Sequence, residues 1–357
     1  MTCRKRLSAT TAMMFAVALS AGLAPAAEAQ DGSRTIDARS LPVPAAASEA
    51  LRASIAAAPV VGAVGDETLS PQTDAEWAAF VTAADAAAGA NLDAVAEQLG
   101  VSVERLEVDG VSVHRVVPND VDPAHADHLF LYVHGGAYVL GGGDAGAQEA
   151  VVIASRARIP VLSIDYRMPP ADPFPAAVDD VVAIYRHVLG NRSGKSVALG
   201  GTSAGGGLTL AAVHRFIELG LDVPGALYAG TPWADLTKTS DTLFSNEAVD
   251  RVLMTYDGLL SAAAHLYAGD RDLKHPLISP LYGDFDGFPP TYLISGTRDM
   301  LLSDTVRVHR KLRTAGAVAE LNVYEGMSHA DYLLVPASPE SQQVYAELNA
   351  FLLRHLE

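Results

Sequence analysis

The feature that most constrains this chain is a change of rhythm near residue 100. From Val101 onward, short β-branched or apolar runs alternate with longer stretches of helical spacing, almost to the last residue. The first two runs, Val101–Val108 and Val111–Val117, flank Asp109-Gly110, a dipeptide that tolerates the positive φ angles of a tight hairpin. The later runs are His128–Val133, Ile159–Tyr166, Ser196–Gly200, Ala226–Ala229, Thr291–Ser295 and Glu320–Tyr324. Helical stretches fall near 145–158, 176–189, 204–219, 304–315 and 341–355. Apolar runs joined by helical crossovers predict an α/β fold: an eight-stranded, mostly parallel sheet with helices on both faces. Residues 232–285 break the alternation, with a helical stretch near Asp250–Tyr267 between polar loops. An insertion of that length between two strands is expected to form a lid over a binding site.

The residues before 101 read differently. Arg4, Lys5 and Arg6 precede an apolar stretch from Ala9 to Ala24, and Ala27-Glu28-Ala29 has the small-x-small form of an export cleavage site. The stretch is short for a membrane span, so residues 1–29 are expected to be a signal peptide cut after Ala29, leaving no stable membrane anchor. Its removal would take the net charge from −17 to −19, a surface that repels nucleic acid phosphates. The single cysteine, Cys3, lies in that segment; the mature chain would have no thiol for a disulfide, a metal or a nucleophile. Residues 30–100 form a tail followed by helices. Thr73 and Glu76 make a capping box for one of them, with Trp77, Phe80, Val81 and Ala84 on one face; a second, Asn91–Leu99, stops at Gly100.

Gly201-Thr202-Ser203-Ala204-Gly205 has the form G-x-S-x-G, after a strand and before a helix, which is the context of a nucleophile elbow. A serine hydroxyl needs a base. Of eleven histidines, His329 follows the last strand and should emerge at the same sheet edge as Ser203. Asp299, just after the run Thr291–Ser295, is the expected orienting carboxylate; Asp304 is its rival but is placed to cap the next helix, and Asp331 is too near His329 in sequence. The order Ser203, Asp299, His329 is that of α/β-hydrolases. His134-Gly135-Gly136-Ala137 ends the run His128–Val133, so the amides of Gly135, Gly136 and Ala204 are expected to bind an oxyanion, with His134 ordering the loop.

These residues resemble the hormone-sensitive-lipase-like group of α/β-hydrolase carboxylesterases, in its Gly-Thr-Ser-Ala-Gly branch. The matching motifs are His134-Gly135-Gly136, Asp165-Tyr166-Arg167, Pro173-Phe174-Pro175-Ala176-Ala177, Gly201–Gly206, Gly296-x-x-Asp299 and Gly326-Met327-Ser328-His329. The resemblance implies the α/β-hydrolase fold, a Ser203–His329–Asp299 triad and a helical cap formed by the N-terminal helices and the 232–285 insertion, on a catalytic domain spanning 101–357. It also implies hydrolysis of short- to medium-chain esters without metal or organic cofactor. Ala137 stands where the family often has a third glycine, and Met168-Pro169-Pro170-Ala171-Asp172 replaces its usual Leu-Ala-Pro-Glu-His run.

Three other readings compete. Gly141-x-Gly143-x-x-Gly146 mimics a dinucleotide fingerprint, but it lies several residues past the strand end it should adjoin. His125, Asp127 and His128 are close in sequence, yet no H-E-x-x-H or cysteine ligands accompany them. A non-catalytic binder on the same fold would be expected to have lost a triad member. The partner is therefore expected to be a small-molecule ester; a lactone or an acetylated natural product would use the same chemistry. Trp77, Phe80, Phe244, Tyr256 and Tyr267 are expected to line an apolar pocket under the cap.

Overall fold

In the computed structural model, residues 33–34, 36, 38, 40–58 and 70–357 are described, and the expected signal segment lies outside them. The chain divides into a unit ending at Leu41, whose described residues carry no regular element, and a unit from Pro42 to Glu357. No described helix is long and apolar enough to cross a membrane.

The second unit opens with three helices, α1 (Glu49–Ala57), α2 (Asp74–Gly89) and α3 (Leu92–Gln98). Helix α1 is capped by Ser48, whose amide and hydroxyl also bond Glu340 far along the chain. Thr73 and Glu76 form the expected reciprocal cap of α2. The hairpin strands β1 (Val101–Val108) and β2 (Val111–Pro118) pair antiparallel, with φ of 50° at Asp109 and 80° at Gly110. Six more strands follow: β3 (Leu129–Val133), β4 (Val161–Asp165), β5 (Val197–Thr202), β6 (Ala226–Gly230), β7 (Thr291–Gly296) and β8 (Ala319–Tyr324). The sheet order is β1-β2-β4-β3-β5-β6-β7-β8, and every pair from β4 to β8 is parallel. The carboxyl ends of β3, β5, β7 and β8 therefore share one edge, where a parallel sheet builds its site.

Crossovers α4 (Gln148–Ala157), α5 (Ala176–Leu189), α6 (Ala204–Glu218), α9 (Leu302–Thr314) and the terminal α11 (Pro339–His355) cover the two faces. The period-two alternation of strand side chains divides the core accordingly. Leu131, Leu199, Leu227 and Leu293 face α5, α6 and α9; Phe130, Tyr132, Ala198, Tyr228 and Tyr292 face α4 and α11, with Leu51 and Leu92 of the leading helices. Each such fully buried apolar side chain contributes about 2 kcal/mol.

The β6–β7 connection differs from expectation. It carries the helix α8 (Leu259–Ala268), the single turn α7 (Thr242–Ser245) before it and a 3-10 turn at Pro280–Tyr282; a further single turn, α10 (Asp331–Leu334), follows His329. Residues 250–258 are not helical: the Asp250 carboxylate accepts the amides of Val252 and Leu253, and Gly258 takes φ 95°. A side chain that competes for backbone amides, followed by a left-handed glycine, delays the helix by two turns. Helices α2 and α8 meet where Trp77 and Ala263 pack with Val139.

Candidate active site

The turn between β5 and α6 puts Ser203 at φ 62°, ψ −124°, a strained conformation for a residue with a Cβ. Its amide donates to Gly230 O (2.8 Å) and its carbonyl accepts from Trp233 N (2.9 Å), so backbone bonds hold the strain. The flanking glycines are required by close approach rather than by flexibility. A Cβ on Gly201 or Gly205 would lie 1.9 or 2.0 Å from the Val133 carbonyl at the end of β3. The same proximity brings the turn after β3 against the elbow. Gly135 lies where a Cβ would be 3.3 Å from that of Ser203, and Gly136 has φ 111°. The amides of Gly135 and Gly136 have no acceptor among the described residues. Ala204 is the first residue of α6, where helical amides have no partner in the helix. His134 is stacked on Tyr166 at 4.0 Å, and the Tyr166 hydroxyl donates to His134 O (2.9 Å). Arg167 pairs with Asp180 (2.7 Å). Both roles are loop-ordering.

On the other side of the elbow, Asp299 follows β7 and is fully buried. One carboxylate oxygen lies 3.1 Å from His329 Nδ1 and accepts from Leu301 N (2.8 Å); the other accepts from Ser295 Oγ (2.7 Å). Arg298 N donates to Met327 O (3.0 Å) and Thr297 N to Tyr324 O (3.0 Å), fastening the two loops together. With Nδ1 engaged, Nε2 is the nitrogen of the buried His329 ring left for chemistry. Burial opposes its protonation, but the charges of Asp299, Asp250 and Asp331 outweigh that cost and raise its pKa above the ordinary imidazole value. Asp250 was not foreseen from the sequence. It is fully buried, accepts from Met300 N (2.9 Å) and lies 3.3 Å from His329 N. Burial and the neighbouring Asp299 push it up to about 6.

The other carboxylates do different work. Asp331 pairs with Arg251. Asp304 lies within α9 and does not cap it; its carboxylate accepts the amides of Ala234 (3.1 Å) and Asp235 (2.9 Å) and the Ser240 hydroxyl, and burial pushes it up to about 7. It is the anchor of the loop after β6.

Ser203, His329, Gly135 and Gly136 line one cavity of about 440 Å³, walled by Ala84 and Ala88 of α2 and by Leu253, Leu259 and Leu260. The expected aromatic lining is absent from these walls. Trp77 is buried against Val139 and Ala263, with Phe80 beside it and outward. Phe244 is 57% exposed beneath Lys238, the buried Tyr256 donates to Leu236 O (2.6 Å), and Tyr267 stacks on Tyr138 at 4.2 Å. Trp77, Tyr256 and Tyr267 pack α2 and the β6–β7 connection onto the body, while alanines and leucines, together with Tyr132, Thr202 and Glu149, face the cavity. A larger groove of about 830 Å³, near Phe174, His214 and Arg271, contains none of the site residues.

The competing readings also resolve into structure. The amides of Gly141 and Gly142 are held by Asp85 (2.7 and 2.9 Å) and that of Gly143 by Asp165 (2.9 Å), so the donors a pyrophosphate would need are already paired with carboxylates. His125 bonds His128 (2.9 Å) and Asn349 (2.8 Å), and no described cluster of three or more histidine, cysteine or acidic residues could hold a metal ion.

Residues 130–333 match a protein family described as having the alpha/beta hydrolase fold. A solved structure of the esterase E25 superposes with TM-score 0.87 and 51% identity, covering 91% of this chain and 99% of that one. The chain belongs to the hormone-sensitive-lipase-like α/β hydrolases. Within this family of ester hydrolases, an esterase described as from the bacterial hormone-sensitive lipase family aligns at 30% identity and TM-score 0.69, over 82% of this chain and 95% of that one. The acetyl-hydrolase of Streptomyces hygroscopicus is 34% identical over 247 residues, which is 68% of this chain and 82% of that protein.

Proposed function

We propose that this carboxylic ester hydrolase works through an acyl-enzyme on Ser203. His329 Nε2 takes the hydroxyl proton as Ser203 attacks the ester carbonyl, while Asp299 fixes the Nδ1–H tautomer and stabilises the imidazolium. The amides of Gly135, Gly136 and Ala204 receive the developing oxyanion. The protonated His329 then gives its proton to the departing alcohol, and water repeats the cycle on the acyl-serine. What carries the reading is the 3.1 Å contact of His329 Nδ1 with Asp299, in a ring that lines the same cavity as Ser203. Helices α2 and α8 serve as the cap. The cavity of about 440 Å³, with its alanine and leucine walls, suits short- to medium-chain esters. Residues 1–29 direct export, and the mature protein begins at Gln30.

A serine-directed fluorophosphonate should add once, on the peptide carrying Ser203, and abolish turnover of p-nitrophenyl acetate and butyrate. Turnover that survives complete labelling, or labelling at another serine, refutes the assignment. Amino-terminal sequencing of exported protein tests the cleavage site.

A further inference from the structure

In the wall of the cavity that holds Ser203 and His329 stands a further buried carboxylate that the reaction above does not use. Glu149, the second residue of α4, is 5% exposed, and no lysine, arginine or histidine among the described residues pairs with it. Its partners are hydroxyls. Tyr132 donates to Oε2 (2.7 Å); Thr202 (2.9 Å) and Tyr228 (3.0 Å) donate to Oε1. The Tyr332 hydroxyl completes the cluster, 2.8 Å from Thr202 Oγ1 and 2.9 Å from Tyr228 Oη. The protons account for themselves. Each of these four hydroxyls carries one hydrogen: three go to the carboxylate, and that of Tyr332 goes to a hydroxyl oxygen already donating, while the buried Tyr345 hydroxyl beside them makes no hydrogen bond to a described residue. An ionised Glu149 satisfies each of the four hydroxyls that are hydrogen-bonded here, whereas a protonated one adds a proton and takes away an acceptor. Burial raises the carboxyl pKa above its ordinary value, and the hydroxyls of Tyr132, Thr202, Tyr228 and Tyr345 offset only part of that; burial also keeps the phenols protonated, hence donors.

The placement is specific. Thr202 is the residue before Ser203, Tyr332 lies three residues after His329, and Tyr132 is two before His134. Room for the cluster is made by Gly230, where a Cβ would lie 2.2 Å from Tyr332 Oη and 2.4 Å from Tyr228 Oη, and whose carbonyl accepts the Ser203 amide. A buried, cation-free carboxylate costs stability that an apolar cluster of the same shape would not.

We propose that Glu149 is a positioning residue for the hydrolytic reaction: by accepting from Thr202 and Tyr228 it orients the hydroxyls that meet Tyr332, and so ties the nucleophile elbow to the loop carrying the base. The proposal rests on the assignment of Ser203 and His329 above. It explains the threonine of the Gly-Thr-Ser-Ala-Gly motif as a tether whose hydroxyl crosses from one catalytic segment to the other.

Glu149→Gln keeps the shape but offers one acceptor oxygen and an unwanted donor, so at least one hydroxyl is left unpaired. Thr202→Val and Tyr332→Phe each delete one hydroxyl and leave the carboxylate. In full-length protein with native circular dichroism, each should lower kcat about 10- to 100-fold, as expected for a misplacement near 1 Å, with KM within about threefold. The rate of phosphonate labelling of Ser203 should fall in parallel. Thr202→Ser should restore most of the rate, and Glu149→Gln/Thr202→Val should lose no more than the worse single variant. Wild-type kcat and labelling rate in folded Thr202→Val and Tyr332→Phe, with only the melting temperature lowered, overturn the proposal and leave a structural cluster. If Glu149→Gln does not fold, those two single-hydroxyl variants still decide. Activity retained in Ser203→Ala defeats the underlying assignment instead, a result that none of the cluster variants can mimic.

Discussion

The two halves of the site are held in place by different forces. Ser203 and the turn after β3 are fixed by shape: glycines at 201 and 205 admit the Val133 carbonyl, and backbone bonds lock a strained φ. His329 is fixed by charge: its ring leans on Asp299, its amide lies against Asp250, and Asp331 beside it is tied to Arg251. Steric restraint does not respond to pH, whereas a cluster of buried acids around an imidazole does. Ser203 should therefore keep its geometry across the pH range in which His329 changes state.

Breaking the comparison outright starts with Ser203→Ala, which should lower kcat by at least about 10⁴-fold while the melting curve stays near wild type. Asp299→Asn should follow at about 10⁴-fold by holding the wrong tautomer of His329, with KM nearly unchanged in steady-state assays. On the shape-held side, Gly201→Ala should be felt as lost stability, about 2–4 kcal/mol in chemical denaturation, because its methyl group would meet backbone. Sharpening comes from Asp250→Asn. It removes a negative charge near His329, so the acid limb of kcat/KM should move to lower pH, at a cost of about tenfold in rate near neutrality. In the wild type that limb should lie above pH 6.5, because the raised imidazole pKa keeps the base protonated to higher pH. The same shift has a stability sign. A pKa raised on folding contributes stability that is full below the unfolded value of 6.5 and is lost as pH rises through the folded one. His329→Gln should erase that part of the pH dependence of the melting temperature, the smallest effect of the series.

Much of this arrangement could be read from order and spacing. Alternating runs gave the sheet, Asp109-Gly110 the hairpin, Thr73 with Glu76 the cap, and strand ends the positions of Ser203, Asp299 and His329. What escaped depends on partners distant in the chain. Glu149 in the first turn of α4 looks like an ordinary favourable charge at a helix start; only the folded chain brings three donating hydroxyls to it. Asp250 sits in a polar loop like any other until Met300 and His329 are brought to it. Trp77, Phe80, Phe244 and Tyr256 show the converse: ring size signals burial or contact, but not which side of a helix holds the ligand. Asp304 differs again, since a carboxylate early in a helix suits its own amides as well as those of a neighbouring loop.

The grip of Asp85 on Gly141 and Gly142 bears on which wall of the cavity can move. Two charge-assisted bonds make α2 mechanically continuous with the segment that follows Gly135 and Gly136, so an outward swing of that helix would pull on the turn after β3. Among the described residues the Leu253–Leu260 side of the cavity has no hydrogen bond to that turn, so it is the wall that can shift without pulling on Gly135 and Gly136.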